Sequence, residues 1–182
     1  MPTTSSGTAK VHAEYIEIHA TGSRRAESLA ARIEEGAAGL AAFAETLLDA
    51  EWRTPVSATD QRPIGVVVHH VASMYPIEID VARIIASGKP VSDVTWQVVA
   101  QLNAKHAQEN AQVSKSAALE LLQHTSLEAA TAVRAFTDQE LDSAAPFSLS
   151  FGAPMTAQFV IEDHALRHSW HHLAAIRKAL RR

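Results

Sequence analysis

The chain has 182 residues, of which 47 % are hydrophobic and 20 % are charged, a composition that fits one globular domain with a sizeable core. Its net charge of −4 argues against nucleic acid as the main partner, and the absence of cysteine excludes disulfides, thiolate zinc sites and a cysteine nucleophile. Because no apolar run reaches the roughly 18 residues that span a bilayer, and the N-terminus lacks the apolar core of a signal peptide, we expect a cytoplasmic protein with no membrane partner.

The sequence predicts an N-terminal arm, a single domain after it, and a long helix at the start of that domain. Residues 1–22 are expected to form a flexible or partly ordered arm, and residues 23–182 a single domain. Apolar residues at helical spacing indicate an amphipathic helix from about Arg25 to Trp52. Gly36 and Gly39 weaken its local helix propensity by about 1 kcal/mol each. A closely packed neighbouring helix is the usual reason for tolerating such glycines.

A second helix is predicted to begin at Pro63, which suits a first turn because its missing N–H has no helical partner there. The apolar pattern continues to about Ser87 and stops near Gly88 and Pro90. Pro76 lies inside this pattern, where a proline removes one backbone hydrogen bond and usually kinks the helix.

Two further helices complete the predicted domain. A long third helix covers Val94–Thr125, and residues 126–136 restart or continue it. Residues 137–155 contain prolines and a glycine and are predicted to be a long non-helical connection. The last helix covers about Thr156 to Leu180. Four long helices with one long late connection predict an all-α four-helix bundle.

The last helix carries the stretch HALRHSWHH, with four of the ten histidines of the chain. A helical wheel places its apolar stripe on one face, formed by Phe159, Leu166, Leu173, Ile176 and Leu180. His172 lies beside this stripe, His168 one step further round, His164 beyond that, and His171 faces solvent. Since residues four apart share a helix face, His168 and His172 can bind one cation together. The alternative is one exposed histidine and one ordinary hydrogen bond.

A second histidine pair, His69 and His70, interrupts the apolar run VVVHHVA of the predicted second helix. Burying an uncompensated imidazole is costly, so at least one of the two needs a partner. A third histidine from this helix would complete a set of three ligands and leave further coordination positions for water or substrate. That open arrangement is typical of catalytic rather than structural metal sites.

Several other side chains are weaker candidates. Glu78 lies two turns after His70 and fits either a base or an acceptor that fixes an imidazole tautomer, although a solvated glutamate is the commoner case. Arg53 could reach an anionic substrate, with an exposed surface arginine as the alternative. His106 and His124 lie among polar residues and are predicted at the surface. The sequence has neither a glycine-rich phosphate loop nor a G-x-S-x-G motif, which argues against nucleotide-dependent and serine-hydrolase chemistry.

The sequence resembles the DinB-like superfamily, which includes the YfiT-like metal-dependent hydrolases. The resemblance rests on RPIGVVVHHVA, on HSWHHLAAIRKAL and on the acidic segment TDQELDSAAP, and it spans about Arg25 to Leu180. It implies a four-helix bundle with an up-down-down-up chain path that is often dimeric. It also implies a divalent metal, typically zinc or nickel, held by three histidines at one end of the bundle.

The resemblance assigns the family's metal ligands to His70, His168 and His172, with His69 as the register alternative to His70 and His164 as an additional candidate. Characterised relatives include thiol-dependent transferases and isomerases, in which the metal activates a low-molecular-weight thiol such as mycothiol or bacillithiol. The resemblance thus implies a metal-dependent hydrolase or thiol transferase acting on a small-molecule substrate, in a homodimer. The alternative is a non-catalytic dimer of the same fold that binds a small ligand or serves a stress response. The substrate cannot be transferred by analogy.

Overall fold

The computed structural model describes residues 22–181, so the predicted N-terminal arm lies outside the described residues except for Gly22. Four long helices dominate this part of the chain. The helices are α1 (Arg24–Glu45), α2 (Asp49–Trp52), α3 (Ile64–Ala86), α4 (Trp96–Glu109), α5 (Lys115–Arg134) and α6 (Asp138–Asp142). The strands β1 (Ala144–Pro146) and β2 (Pro154–Thr156) follow, and then a final helical rod, α7. The rod α7 joins an α-helical turn (Ala157–Val160), a π-helical segment (Ile161–Leu166) and an α-helix (Arg167–Ala179).

The directions of α1 and α5 follow from contacts between side chains along their lengths. Arg134 at the end of α5 pairs with Glu27 and Glu34 in the first half of α1. At the other end, the Lys115 ammonium that begins α5 donates to the carbonyl of Leu47, just after α1. The two helices are therefore antiparallel.

The other two long helices are placed in the same way. The Thr125 hydroxyl of α5 donates to the Ala72 carbonyl of α3, while Trp52, which contacts the start of α3, donates to the Val113 carbonyl just before α5. Helices α3 and α5 are thus parallel. Gly36 and Phe43 of α1 contact, in the same order, residues 170 and 177 of α7, so α1 and α7 are parallel. The chain path is up-down-down-up, and the predicted four-helix bundle is confirmed.

The predicted first helix is divided in two. Helix α1 ends at Glu45, and the Thr46 hydroxyl donates to the Phe43 carbonyl there. The short helix α2 then starts afresh, because the Glu51 carboxylate accepts the Leu48 N–H in a capping interaction. The prediction of one helix from Arg25 to Trp52 was wrong in its last two turns, since these local bonds favour a break.

The predicted third helix is also divided, but at a different place. Helix α4 ends at Glu109, and the Asn110 side chain donates to the His106 carbonyl at that end. Helix α5 begins after Ser114, whose hydroxyl accepts the Ala117 N–H as an N-cap. This helix continues through Ser126. Of the two alternatives predicted there, the structure shows a continuous helix and not a new helix start. An unbroken helix over Val94–Thr125 was therefore a wrong prediction.

The connection predicted as non-helical contains regular structure. Thr137 and Glu140 form a capping box that starts α6. Strands β1 and β2 then pair antiparallel, with Ala145 opposite Met155, and bring the chain to the start of α7. The bundle therefore carries one small hairpin among its described residues.

The face of α7 that meets the core changes along its length. Leu166, Leu173 and Ile176 are buried as the helical wheel predicts, but Phe159 is 41 % exposed. The cause is the π-helical segment between them, which inserts extra residues per turn and rotates the face that follows. Helix α3 runs through Pro76 to Ala86, and none of the helices over residues 22–181 is long and apolar enough to cross a membrane.

Candidate metal centre

Three histidines meet between α3 and the second half of α7. His70, His168 and His172 each offer a ring nitrogen, and these three nitrogens all lie within 4.8 Å of one another. The ring centroid of His70 lies 5.0 Å from that of His168 and 5.8 Å from that of His172. The centroids of His168 and His172 are 4.9 Å apart. His70 is buried, whereas His168 and His172 are partly buried. The structure thus brings together the three residues predicted as a ligand set.

The packing of α3 against α7 fixes this arrangement. His168 and His172 are one turn apart on the α-helix that follows the π-helical segment, so both project from one face. Between them, the Ser169 hydroxyl lies 2.6 Å from the Tyr75 hydroxyl of α3, and both side chains are fully buried. This hydrogen bond holds the two helices in register one and a half turns from His70.

Glu78 orients one of the three imidazoles. Its Oε1 lies 2.7 Å from Nδ1 of His168, and the side chains of Glu78 and His168 are only 7 % and 15 % exposed. A carboxylate oxygen accepts hydrogen bonds, so this contact favours the His168 tautomer with its proton on Nδ1, which leaves Nε2 as the ring atom available to a cation. A carboxylate that receives the second ring N–H of a ligating histidine is the usual support of metal-bound imidazole. The sequence predicts this tautomer-fixing role for Glu78 as one alternative and the role of a base as the other.

Two of the histidines stay uncharged at neutral pH. Burial, and after it the electrostatic influence of His168 and other neighbouring basic groups, lowers the pKa of His70 to about 2. Burial likewise lowers the pKa of His172 to about 3, again with His168 as the next cause. Metal ligation requires neutral imidazole. The protein therefore presents these rings in the form that binds a cation.

Unsatisfied polar atoms concentrate at this cluster. Over residues 22–181, the buried side-chain nitrogen and oxygen atoms without a hydrogen-bond partner are Arg62 Nη1, His70 Nδ1, Glu78 Oε2 and His106 Nδ1. More than nine in ten buried polar groups in proteins have a partner, and leaving one unpaired costs about 1–3 kcal/mol. A set of three histidine ligands supported by a carboxylate, with an unpaired buried ring nitrogen on His70, fits a divalent cation of the zinc or nickel type.

A cavity of about 350 Å³ opens beside the cluster. Its polar lining includes the three histidines, Glu78 and Arg62, together with Asp163 and Arg167. Apolar side chains also line the cavity, among them Met74, Ile77, Val81, Trp96, Val99 and Leu149. This volume, with an apolar lining and a few convergent polar groups, matches sites for small molecules. It is large enough for a compact organic substrate to lie against the histidines.

The alternative ligand His69 does not join the three. Its Nδ1 lies 2.9 Å from Nε2 of His106 on α4, and the two rings stack with centroids 5.1 Å apart. The prediction that His106 is a surface histidine was wrong, because α4 brings it to within 5.5 Å of the His70 ring centroid. His124, by contrast, is exposed and pairs with Glu128.

The remaining histidines of α7 also lie outside the group of three. His164 lines the cavity, where its ring meets that of Phe147 edge-on at 5.5 Å and its Nε2 lies 4.0 Å from Asp163. His171 is exposed, as the helical wheel predicts. Trp170 lies against Gly36, so the close neighbour expected for the glycines of α1 is α7.

Arg53 is not near the histidines. It is exposed and lines a separate cleft beside Gly65 and Lys115, so the hypothesis that it reaches a substrate at the cluster is not supported. The arginine at the cavity is Arg62, which sequence reasoning missed. The available signal was its position directly before the helix that carries His70, two residues after Asp60.

Comparisons with known proteins identify the family and the fold. The sequence profile of the DinB superfamily matches residues 32–176, and the chain belongs to that superfamily. Among solved structures it is similar to YfiT from Bacillus subtilis, described as "a probable metal-dependent hydrolase with an unusual four-helix bundle topology". The TM-score is 0.69 at 19 % sequence identity, over 100 % of this chain and 91 % of YfiT. At that identity the match shows a shared fold. No curated protein matches the chain.

Proposed function

We propose that this protein is a metal-dependent hydrolase of a small organic substrate, with His70, His168 and His172 as the ligands of one divalent cation. The observation that carries the proposal is the meeting of three imidazoles at the wall of a cavity, with Glu78 fixing the tautomer of one of them. The description of YfiT as a probable metal-dependent hydrolase supports the same class of reaction.

Each residue has a distinct part in this proposal. A divalent cation at the histidines supplies Lewis-acid chemistry, which polarises a carbonyl and lowers the pKa of water toward neutrality. His70 and His172 offer neutral nitrogens because burial lowers their pKa. His168 offers Nε2 because Glu78 holds its Nδ1–H. The apolar lining of the cavity excludes bulk water from the substrate.

Glu78 is also placed to move a proton. Its Oε1 is engaged by His168, but its Oε2 is buried without a partner, and the residue lines the cavity. In the proposed reaction Oε2 accepts the proton of the nucleophile as it attacks the substrate. The same carboxylate would therefore both position a ligand and serve as the base.

Metal content tests the proposal directly. The protein is purified without an affinity tag or nickel resin, dialysed against zinc or nickel, and measured by elemental analysis. We expect about one ion per chain in the wild type and in His124→Ala, whose exposed histidine lies outside the cluster. We expect loss of nearly all bound metal in His172→Ala. A wild type that folds stably and binds no divalent ion would overturn the proposal.

The class of reaction is tested on the metal-loaded protein. The proposal predicts turnover of small carboxylic esters or amides that is lost in His172→Ala. Thiol transfer is tested in parallel with an electrophilic aryl chloride and several low-molecular-weight thiols. Turnover that requires a thiol, without ester or amide hydrolysis, would replace hydrolysis with thiol transfer at the same metal. A protein that binds metal and small ligands but turns over neither set is the non-catalytic alternative.

We also expect the chain to form a homodimer in the cytoplasm. The chain has a mass of 19.6 kDa. Light scattering on the purified protein therefore measures the oligomeric state directly, as a doubling of this mass.

A further inference from the structure

Arg62 is held rigidly at the mouth of the cavity. Its Nε and Nη2 donate to the two carboxylate oxygens of Asp60 at 2.9 and 2.7 Å, and its backbone N–H also donates to that carboxylate at 3.2 Å. This two-pronged pairing occupies one edge of the guanidinium. The other end of the group, Nη1, is left without a hydrogen-bond partner, although it is buried.

The loop that carries the Arg62–Asp60 pair is itself tied down on both sides. The Val56 N–H donates to the Arg62 carbonyl, and the Ile64 N–H donates to the Thr54 carbonyl. The Ser57 N–H donates to the Asp60 carbonyl, and the Ser57 hydroxyl accepts the Asp60 N–H. The guanidinium is therefore fixed before any ligand binds, which reduces the entropy lost on binding.

The surroundings of Nη1 are those of a ligand site rather than of a structural ion pair. Arg62 lines the same cavity as His70 and His172, and its positive charge contributes to lowering the pKa of both. The Asp60 carboxylate offsets this charge on one side only, since it pairs with Nε and Nη2. Nη1 is a buried guanidinium nitrogen without a hydrogen-bond partner, and it belongs to a side chain that lines the cavity, so it is a donor that calls for an oxygen acceptor.

We propose that Arg62 is a specificity-determining residue that binds a carboxylate oxygen of the substrate through Nη1, so that the substrate class is small carboxylates with an apolar body. The apolar lining, including Ile77 and Trp96, takes the body of the molecule, and the histidine cluster faces its reacting bond. A hydrogen bond between ionised partners is stronger than one to a neutral carbonyl, so the cationic guanidinium favours a carboxylate oxygen over an amide oxygen. The inference rests on the proposed function in taking the histidine cavity as the substrate site.

The test uses metal-free protein, in which a carboxylate cannot bind a metal instead of Arg62. The probes are 4-fluorobenzoate and its neutral counterpart 4-fluorobenzamide, and binding is followed by fluorine NMR. We expect wild type to bind the benzoate more tightly than the benzamide. Arg62→Met, which keeps the length of the side chain, should weaken benzoate binding about ten- to hundred-fold, as expected for a bond to a charged group. Benzamide binding should hardly change.

Matched variants control for position and folding. Arg167→Met removes an exposed cavity-lining arginine that pairs with Asp163, and should change benzoate binding less than about three-fold. Asp60→Asn keeps the guanidinium but loosens its anchor, and should give an intermediate loss. Arg62→Lys, checked for folding by circular dichroism, replaces Arg62→Met if that variant does not fold, and should lose most of the preference for benzoate over benzamide.

The outcomes separate this inference from the proposed function. Equal binding of benzoate to wild type and Arg62→Met, or no preference of the wild type for benzoate over benzamide, overturns the role of Arg62. Zinc binding is then measured on the same preparations after the metal is added back. Benzoate selectivity that depends on Arg62 in a protein that binds no metal supports the carboxylate site while it overturns the metal-dependent hydrolase.

Discussion

The ion pairs along α1 and the polar cluster between α3 and α7 differ in how completely their charged atoms are satisfied. Arg134 of α5 donates four hydrogen bonds of 2.7 to 3.1 Å to the carboxylates of Glu27 and Glu34 on α1. At the other cluster, His70 and Glu78 each keep a buried polar atom without a partner in the described part of the chain. We call the first set closed, because its charged atoms are paired within the protein, and the second set open, because it leaves buried polar atoms unpaired beside a cavity.

This difference separates polar groups that serve the fold from those that serve a ligand. The closed ion pairs along α1 contribute modestly to stability because they are partly exposed to water, which screens their charges. Open buried groups cost free energy and persist where the rest of the protein can offset that cost, which is typical of binding and catalytic sites. The apolar core around Tyr75, Leu122 and Ile161 provides that reserve.

The largest expected effect comes from the open cluster. Replacing Glu78 with Gln keeps the shape of the side chain but removes the charge that holds the proton on Nδ1 of His168. We expect zinc affinity to fall about 10- to 100-fold, as is typical when the carboxylate behind a ligating histidine is lost. Competition with a fluorescent chelator measures it. The control is Glu34→Gln in the closed network, which should leave zinc affinity unchanged. Equal losses in both variants would show that zinc binding does not depend specifically on the open cluster.

The next effect is a pH dependence confined to the open cluster. His70 has a folded-state pKa of about 2, well below its ordinary 6.5. Below pH 6.5 the unfolded chain therefore binds a proton that the folded protein excludes, so this contribution to stability is full above 6.5 and declines as pH falls toward 2. For metal-free protein we expect the free energy of unfolding to be about 2 kcal/mol lower at pH 5 than at pH 7 from His70 alone.

Urea unfolding at the two pH values measures this loss, and His70→Leu should remove about that amount of it. His124→Ala, which changes an exposed histidine, should keep the wild-type slope. The closed network behaves differently, because hydrogen bonds from Arg134 lower the pKa of Glu34, and the contribution of Glu34 to stability is lost only in more acidic solution. An unchanged slope in His70→Leu would show that His70 does not carry the effect.

The sequence predicts the fold and the meeting of the three histidines because both follow from periodic patterns. His168 and His172 share a helix face whatever the partner helix is, and His70 interrupts an apolar run that must be buried. The resemblance to the family then selected His70 over His69.

The features that the sequence did not predict lie where the periodic patterns are interrupted or do not apply. The π-helical segment places Phe159 outside the core. A helical wheel assumes the same rotation for every residue, so it cannot predict this change of face. Arg62 lies in a loop, where no periodicity assigns a direction to a side chain. His106 reaches His69 only because α4 packs beside α3, which is a tertiary contact. The break before α5 was readable in principle from Ser114, a good N-cap residue.

The smallest expected effect comes from a closed hydrogen bond inside the α3–α7 contact, one residue from His168. Tyr75→Phe removes the hydroxyl that meets Ser169 at 2.6 Å. We expect a loss of about 1 kcal/mol in the free energy of unfolding, measured by urea titration, with zinc affinity unchanged. The double variant Tyr75→Phe with Ser169→Ala should lose less than the sum of the single losses, because neither hydroxyl is then left unpaired. Zinc affinity that falls as far in Tyr75→Phe as in Glu78→Gln would contradict this expectation. Proximity to His168, rather than an unpaired polar atom, would then determine which residues affect metal binding.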